Sequence, residues 1–318
     1  MMNVFITGGA GFIGSHLTEH LLKNGSRVDC LDDFNDYYDP AIKWKNIENF
    51  RNNPSFRLIE GDIRDLNLLK EIFLKYEYDT IIHFAARAGV RPSLKRPMLY
   101  QDVNIRGTMN LLEMTKENKI QKFIFASSSS IYGNTKKVPF CEDDFVDHPI
   151  SPYAATKRMG EIICYTYHHL YNISITCLRF FTVYGARQRP DMAIHKFTDL
   201  IYRGEQVPMF GDGSSKRDYT YISDIIQGVT KAIAECKGYH IYNLGESNVI
   251  SLKDLIKLIE KHLGERAVIK RLPVQAGDMP ITYANIDKAR KELGYNPTVG
   301  MNEGIARFVD WYKNYSHR

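Results

Sequence analysis

A tyrosine four residues ahead of a lysine is a spacing with chemical use, and the chain carries it twice. Tyr153 and Lys157 follow Ser151-Pro152, a capping residue and a first-turn proline that open the helical run "YAATKRMGEIICYTYHHL". Positions i and i+4 share one helix face, so the Lys157 ammonium is expected beside the Tyr153 ring. There it would favour phenolate and lower a pKa that starts near ~10. Such a phenol can take a hydroxyl proton while a hydride leaves the same carbon. Tyr132 and Lys136 flank the turn "GNT" and are read instead as an accidental surface pair.

A second constellation is the glycine run "GGAGFIG" at residues 8–14. Gly8, Gly11 and Gly14, with Phe12 and Ile13 between them, lie between an apolar strand and a helix. Glycines in that place let the backbone turn tightly and approach a pyrophosphate at the helix N-terminus. Asp32 lies 18 residues beyond Gly14, at the end of the second strand. A carboxylate there accepts hydrogen bonds from an adenosine ribose and repels a 2′-phosphate. Asp33, Phe34, Asn35 and Asp36 follow, with no nearby cation to favour NADP. The expected cofactor is NAD.

Two further stretches carry polar chemistry. "SSSS" at 127–130 closes the strand "KFIFA". Two of its hydroxyls are expected to satisfy a turn, the others to face the crevice at the strand ends. "RFFTVYGARQRPDMA" at 179–193 places Arg179, Arg187 and Arg189 around Thr182 and Gly185. Guanidinium forks suit carboxylates and phosphates; taken alone, the loop reads as a solvated basic turn.

These residues need a scaffold, and the chain alternates strand-like and helical patterns from its start. "NVFITGG", "RVDCLDD", "FRLIEGD", "YDTIIHFAA", "KFIFASSS" and "ISITCLRFF" are apolar runs, with helical patterns such as "DLNLLKEIFLKY" between most of them. Apolar strands alternating with helices imply an α/β fold, a doubly wound parallel sheet of Rossmann type covered on both faces. Past residue 181 the pattern turns irregular, returns with "SDIIQGVTKAIAEC" and "GYHIYNLG", and ends in two helical stretches. The expected division is a dinucleotide-binding domain over 1–181, completed by about 213–246, and a smaller mixed α/β lobe of 182–212 and 247–318. At 318 residues, 44% hydrophobic and 25% charged, the composition is that of a folded globular chain. A net charge of +5 without a basic block speaks against nucleic acid. Five cysteines without a C-x-x-C pair read as reduced thiols, with no metal site. With no apolar run of membrane-spanning length, a cytoplasmic protein is expected.

"TGGAGFIG", the serine run before "IYG", and Tyr153-x-x-x-Lys157 together resemble the extended short-chain dehydrogenase/reductase superfamily. Over nearly its full length the chain is similar to nucleotide-sugar 4-epimerases. "DDFNDYYDP", "AARAGVRPS", "KRDYTYISD", "GDMPITYANI" and the 179–193 loop match the UDP-glucuronate 4-epimerase branch. The resemblance implies NAD kept bound and recycled, with a UDP-sugar oxidised and reduced again at C4. It makes Tyr153 the acid/base residue, Lys157 its tuner and a ribose contact, and Ser128 the hydroxyl that holds the C4 oxygen. Ser129 and Ser130 would line the sugar pocket. Asp62 and Ile63 would flank the adenine, Ala85 and Asn104 would border the dinucleotide, and Phe181 would close over the nicotinamide. Arg217 and Asp278 would address the UDP end, and Arg91 would lie in a substrate-side loop. It also implies a homodimer through helices near 99–118 and 153–171.

Two positions depart from the pattern. Thr182 stands where UDP-galactose 4-epimerases carry Asn, and Ala186-Arg187-Gln188 replaces the branch's Pro-Trp-Gly. Thr182, with Ser129, Ser130 and Arg189, is expected to hold a sugar carboxylate. The alternatives are a UDP-glucose or UDP-N-acetylglucosamine 4-epimerase, a UDP-glucuronate decarboxylase and, from another class, a non-catalytic NAD-sensing protein.

Overall fold

The computed structural model describes residues 2–273 and 279–316. Six apolar runs form the strands β1 (Asn3–Thr7), β2 (Arg27–Asp32), β3 (Phe56–Glu60), β4 (Thr80–His83), β5 (Lys122–Ser128) and β6 (Ser174–Phe180). β7 (Thr182–Tyr184), β8 (Gln206–Phe210), β9 (Lys216–Tyr221), β10 (Tyr239–Leu244), β11 (Val249–Ser251) and β12 (Val268–Leu272) follow. The main sheet is seven-stranded and parallel, in the order β10-β6-β5-β4-β1-β2-β3. Its strands are buried on both faces: Val4, Phe5, Ile6, Ile81, Ile82, Phe123 and Ile124 have no exposed surface. Strand order reverses between β1 and β4, which opens a crevice at their carboxyl ends.

β6 ends at Phe180 and β7 begins at Thr182, so the chain leaves the main sheet within one residue, Phe181. β7 pairs parallel with β9, and β9 antiparallel with β11, in a second sheet. β8 and β12 form a third, two-stranded one. This is the expected Rossmann-type architecture with a smaller mixed lobe. The stretch past 181, irregular in sequence, contains β7, the helix Ala193–Tyr202, β8 and β9. These elements are short, and their apolar faces are completed by partners farther along the chain: β8 pairs with β12, β9 with β11, and His195 packs on Phe308 and Tyr312.

Two local devices set the site. Gly14 packs so closely that a Cβ there would stand 2.2 Å from the Gly8 carbonyl oxygen. Gly8 has φ +72° and lies against the Ala85 backbone, so the first helix, Phe12–Lys23, begins within the crevice. The helix Pro152–Tyr171 is capped as its sequence implies, with Ser151 Oγ accepting from the Ala154 N–H. Gly160 lets that helix settle on the Phe125 ring at the base of the site.

Cys30, Cys141, Cys164, Cys177 and Cys236 are all free thiols. Among the described residues no helix is long and apolar enough to cross a membrane, and no group of three His, Cys, Asp or Glu is placed to hold a metal ion.

Candidate active site

A cavity of about 510 Å³ runs along the carboxyl ends of β1, β2, β4, β5 and β6 and reaches the second lobe. At one end lie the glycine turn (Gly8, Gly11, Phe12, Ile13, Gly14), Asp32, Asp62, Ile63 and Ala85. At its centre are Ser128, Ser129, Ser130, Tyr153, Lys157, Phe181, Thr182 and Arg189, and Arg217, Met279 and Thr282 close the far end. Residues scattered through most of the chain thus converge on one wall.

Two expected contacts, Asn104 and Arg91, do not line the cavity. Asn104 is buried behind the cavity wall: its side chain bonds both the N–H and the C=O of Arg87, at 2.8 and 3.0 Å, and Thr156 Oγ1 at 3.0 Å. It shapes the 85–89 loop from behind. Arg91 stacks on the Phe210 ring, 5.0 Å from its centre, and ties that loop to β8. Asp278 lies outside the described residues.

The three arginines of the 179–193 loop diverge. Arg179, on β6, is 1% exposed and pairs with Glu161 at 2.9 Å. Arg187 turns the other way, to Glu19 of the first helix at 2.6 Å. Only Arg189 lines the cavity, where Nε and Nη2 each donate to Asp191 at 2.9 Å and the guanidinium lies over the Tyr37 ring. The loop is therefore no solvated basic turn.

At the centre, Lys157 is 4% exposed and its Nζ donates to the Ala126 carbonyl at 2.6 Å, at the end of β5. Burial pushes its pKa down to about 8. The Tyr153 phenol departs from expectation. Burial raises its pKa, opposed by hydrogen bonding to Ser128 and by the charge of Arg189, with no lowering contribution from Lys157. The lysine is bound to the strand end instead, and burial keeps the phenol protonated at neutral pH. Ser128 Oγ also accepts from the Ser130 N–H at 3.2 Å, while Ser127 turns away and donates to Glu161. Ser130 Oγ is buried without a hydrogen-bond partner among the described residues, as is Arg87 Nε. Tyr132 is no surface residue: it is 2% exposed, donates to Asn243 and accepts from Arg179.

The glycine turn fits a dinucleotide: Gly8, Gly11 and Gly14 line the cavity where the first helix begins, and the turn packs too tightly on itself to admit a Cβ at Gly14. The cavity also brings in residues that sequence reasoning missed. Tyr37, Tyr38, Lys43, Arg87 and Met192 all line it. A signal for Lys43 lay in "DPAIK": Asp39 caps and Pro40 opens the helix Pro40–Ile47, whose first turn aims Lys43 back at β2. One sequence inference is corrected here. A cation does stand at the ribose end, since Lys43 Nζ is 2.8 Å from Asp32.

Comparison with known proteins agrees with this geometry. The family described as GDP-mannose 4,6 dehydratase matches residues 5–308. A UDP-glucuronate 4-epimerase of Thermodesulfobacterium geofontis is 44% identical over 309 residues, covering 97% of this chain and 95% of that protein. The crystal structure of a Bacillus cereus UDP-glucuronic acid 4-epimerase, in complex with UDP-glucuronic acid and NAD, superposes with a TM-score of 0.92 at 37% identity, covering 99% of this chain and 100% of that one. A Thermotoga maritima UDP-glucose 4-epimerase with UDP-glucose reaches the same TM-score, 0.92, at 32% identity and the same coverage. The chain belongs to the GDP-mannose 4,6 dehydratase family of the extended short-chain dehydrogenase/reductases, among the NAD-dependent nucleotide-sugar epimerases.

Proposed function

We propose that this enzyme interconverts UDP-glucuronate and UDP-galacturonate by inverting C4. The observation that carries the reading is the convergence of Tyr153, Ser128 and Lys157 with Thr182, Ser129, Ser130 and Arg189 on one cavity that begins at the glycine turn. A phenol suited to proton transfer and a set of groups suited to a carboxylate face the same space. The relatives that carry the UDP-glucuronate 4-epimerase name support the choice of substrate.

Bound NAD would supply the acceptor and donor of hydride at C4, and its positive ring would favour the phenolate. Gly8, Gly11 and Gly14 would admit its pyrophosphate, Asp32 its ribose, and Asp62 and Ile63 its adenine. Tyr153 takes the proton of the C4 hydroxyl and returns one after the sugar has turned about its diphosphate linkage. Ser128 hydrogen-bonds the C4 oxygen and keeps it within reach of the phenol. Lys157 holds positive charge behind the ring. Arg217, Met279 and Thr282 seat the UDP, so that the sugar alone moves.

The 4-keto uronate formed on the way is a β-keto acid and loses CO₂ when its carboxylate bond aligns with the carbonyl π-system. Thr182, Ser129 and Ser130 hold the carboxylate out of that alignment by hydrogen bonds. Arg189 donates one N–H each from Nε and Nη2 to Asp191, which leaves Nη1 and the second N–H of Nη2 as donors for the substrate anion. Two copies of the chain pair through the helices near 99–118 and 153–171, a part of the proposal supported by exposed Met109, Met159 and Ile162.

The test is incubation with UDP-glucuronate without added reductant, with products resolved by NMR. UDP-galacturonate is expected to dominate. Thr182→Val and Arg189→Ala should each slow epimerisation, and Thr182→Val should raise the share of UDP-pentose. Mainly UDP-pentose from the unmodified enzyme would make it a decarboxylase, and preference for UDP-glucose would mean that the cavity holds no carboxylate.

A further inference from the structure

The adenosine end of the cavity contains an ion pair whose partners lie on different elements. Lys43, on the helix Pro40–Ile47, is 6% exposed, and its Nζ is 2.8 Å from Asp32 Oδ1 and 3.6 Å from Asp33 Oδ1. The ammonium also lies 5.9 Å from the centre of the Phe34 ring and 5.7 Å from that of Tyr38. Asp32 in turn accepts the Ala10 N–H at 3.2 Å and the Phe34 N–H at 3.1 Å. Its carboxylate is thus tied to the glycine turn on one side and to the lysine on the other. Lys43 and Asp32 both line the cavity.

This pair changes the account of cofactor choice. A lone carboxylate at the ribose would exclude a 2′-phosphate by repulsion. Here an ammonium at hydrogen-bond distance offsets that charge, so repulsion by Asp32 is largely cancelled at the place where the phosphate would sit. What excludes the phosphate is that Asp32 occupies both the ammonium and the space in front of it. A buried charge stripped of its partner is costly, and it recruits whatever anion can reach it. Phosphate oxygens are strong acceptors for a lysine point charge. Asp33 is farther from the ammonium and 30% exposed, so it compensates the lysine only in part.

We propose that Lys43 makes the adenosine subsite a latent NADP site, held to NAD chiefly by Asp32. The proposal rests on NAD occupying this cavity, as in the proposed function.

The experiment is calorimetric titration of NAD and NADP into the nucleotide-free protein and its variants, without UDP-sugar. Asp32→Ser removes the charge and opens room beside Lys43. Asp32→Asn removes the charge but keeps one acceptor oxygen, enough for the N–H of either Ala10 or Phe34, and thermal melts check that each variant is folded. NADP affinity is expected to rise about tenfold or more in Asp32→Ser, by an increment that added salt weakens. The gain should vanish in Asp32→Ser/Lys43→Met. Unchanged NADP affinity in both single variants, or a gain that survives Lys43→Met, overturns the inference and leaves the proposed function standing. An unmodified protein that binds no NAD overturns both.

Discussion

At Tyr153 the groups that would make a phenol into a base come from two elements outside its own helix. Ser128 at the end of β5 and Arg189 on the loop after β7 each favour the phenolate, while burial opposes it. Lys157 is anchored on Ala126, and its own ammonium is weakened by burial. Tyr153→Phe removes the one atom that can exchange the proton and keeps the ring, which packs edge-on to Tyr100. Turnover should fall by about 10²-fold or more with the melting temperature and NAD affinity held. Activity within a few-fold of the unmodified enzyme would remove Tyr153 from the chemistry. Tyr132→Phe makes an instructive contrast, because its hydroxyl sits between Asn243 and Arg179 in the interior. That change should cost about 1–3 kcal/mol of stability, read by denaturant unfolding, and leave kcat nearly untouched.

The helix Pro152–Tyr171 shows which parts of the site a sequence can disclose. Its cap, its start and the i, i+4 placement of Tyr153 and Lys157 depend on neighbours along the chain, and all were legible. So were the glycine turn and the six strands of the dinucleotide half, whose apolar runs are continuous. What holds the helix to the sheet was not legible, because its partners are far apart in sequence. Glu161, with no exposed surface, accepts from Arg179 Nε and Nη2 on β6 and from Ser127 on β5. Tyr132 with Asn243, 111 residues apart, escaped for the same reason. Glu161→Gln would leave the Arg179 guanidinium buried and uncompensated. The expected loss is about 3–5 kcal/mol by denaturant unfolding, and Glu161→Gln/Arg179→Met should recover much of it. A double variant no more stable than the single one would mean that the pair is not what costs.

Across the whole molecule, the two lobes are joined where β9 meets the end of β10, and two carboxyl groups at that seam, one buried and one half-buried, should respond oppositely to mutation. Asp218 accepts the N–H groups of Glu246 at 2.9 Å and of Ser247 and Ala284 at 3.1 Å, so it ties β9 to the turn after β10 and to the segment before Asn285. Burial still raises its pKa to about 6, since those hydrogen bonds only partly offset desolvation. Glu246 beside it has a buried Oε2 without a partner among the described residues, and burial, then the charges of Asp218 and Asp224, push it up to about 7. A carboxyl with a raised folded pKa binds its proton more tightly when folded. Stability therefore falls as pH climbs from the ordinary carboxyl range toward 7, and the loss persists above it. Glu246→Gln removes the proton to be lost, so it should stabilise the protein at pH 8 and do little near pH 4. At roughly 2 °C per kcal/mol, thermal melts across that range can resolve the difference. Asp218→Asn should destabilise at every pH, because one amide oxygen cannot serve all three N–H groups. A Glu246→Gln benefit no larger at pH 8 than at pH 4 would show that Glu246 is ionised in the folded chain and that the seam carries no such proton.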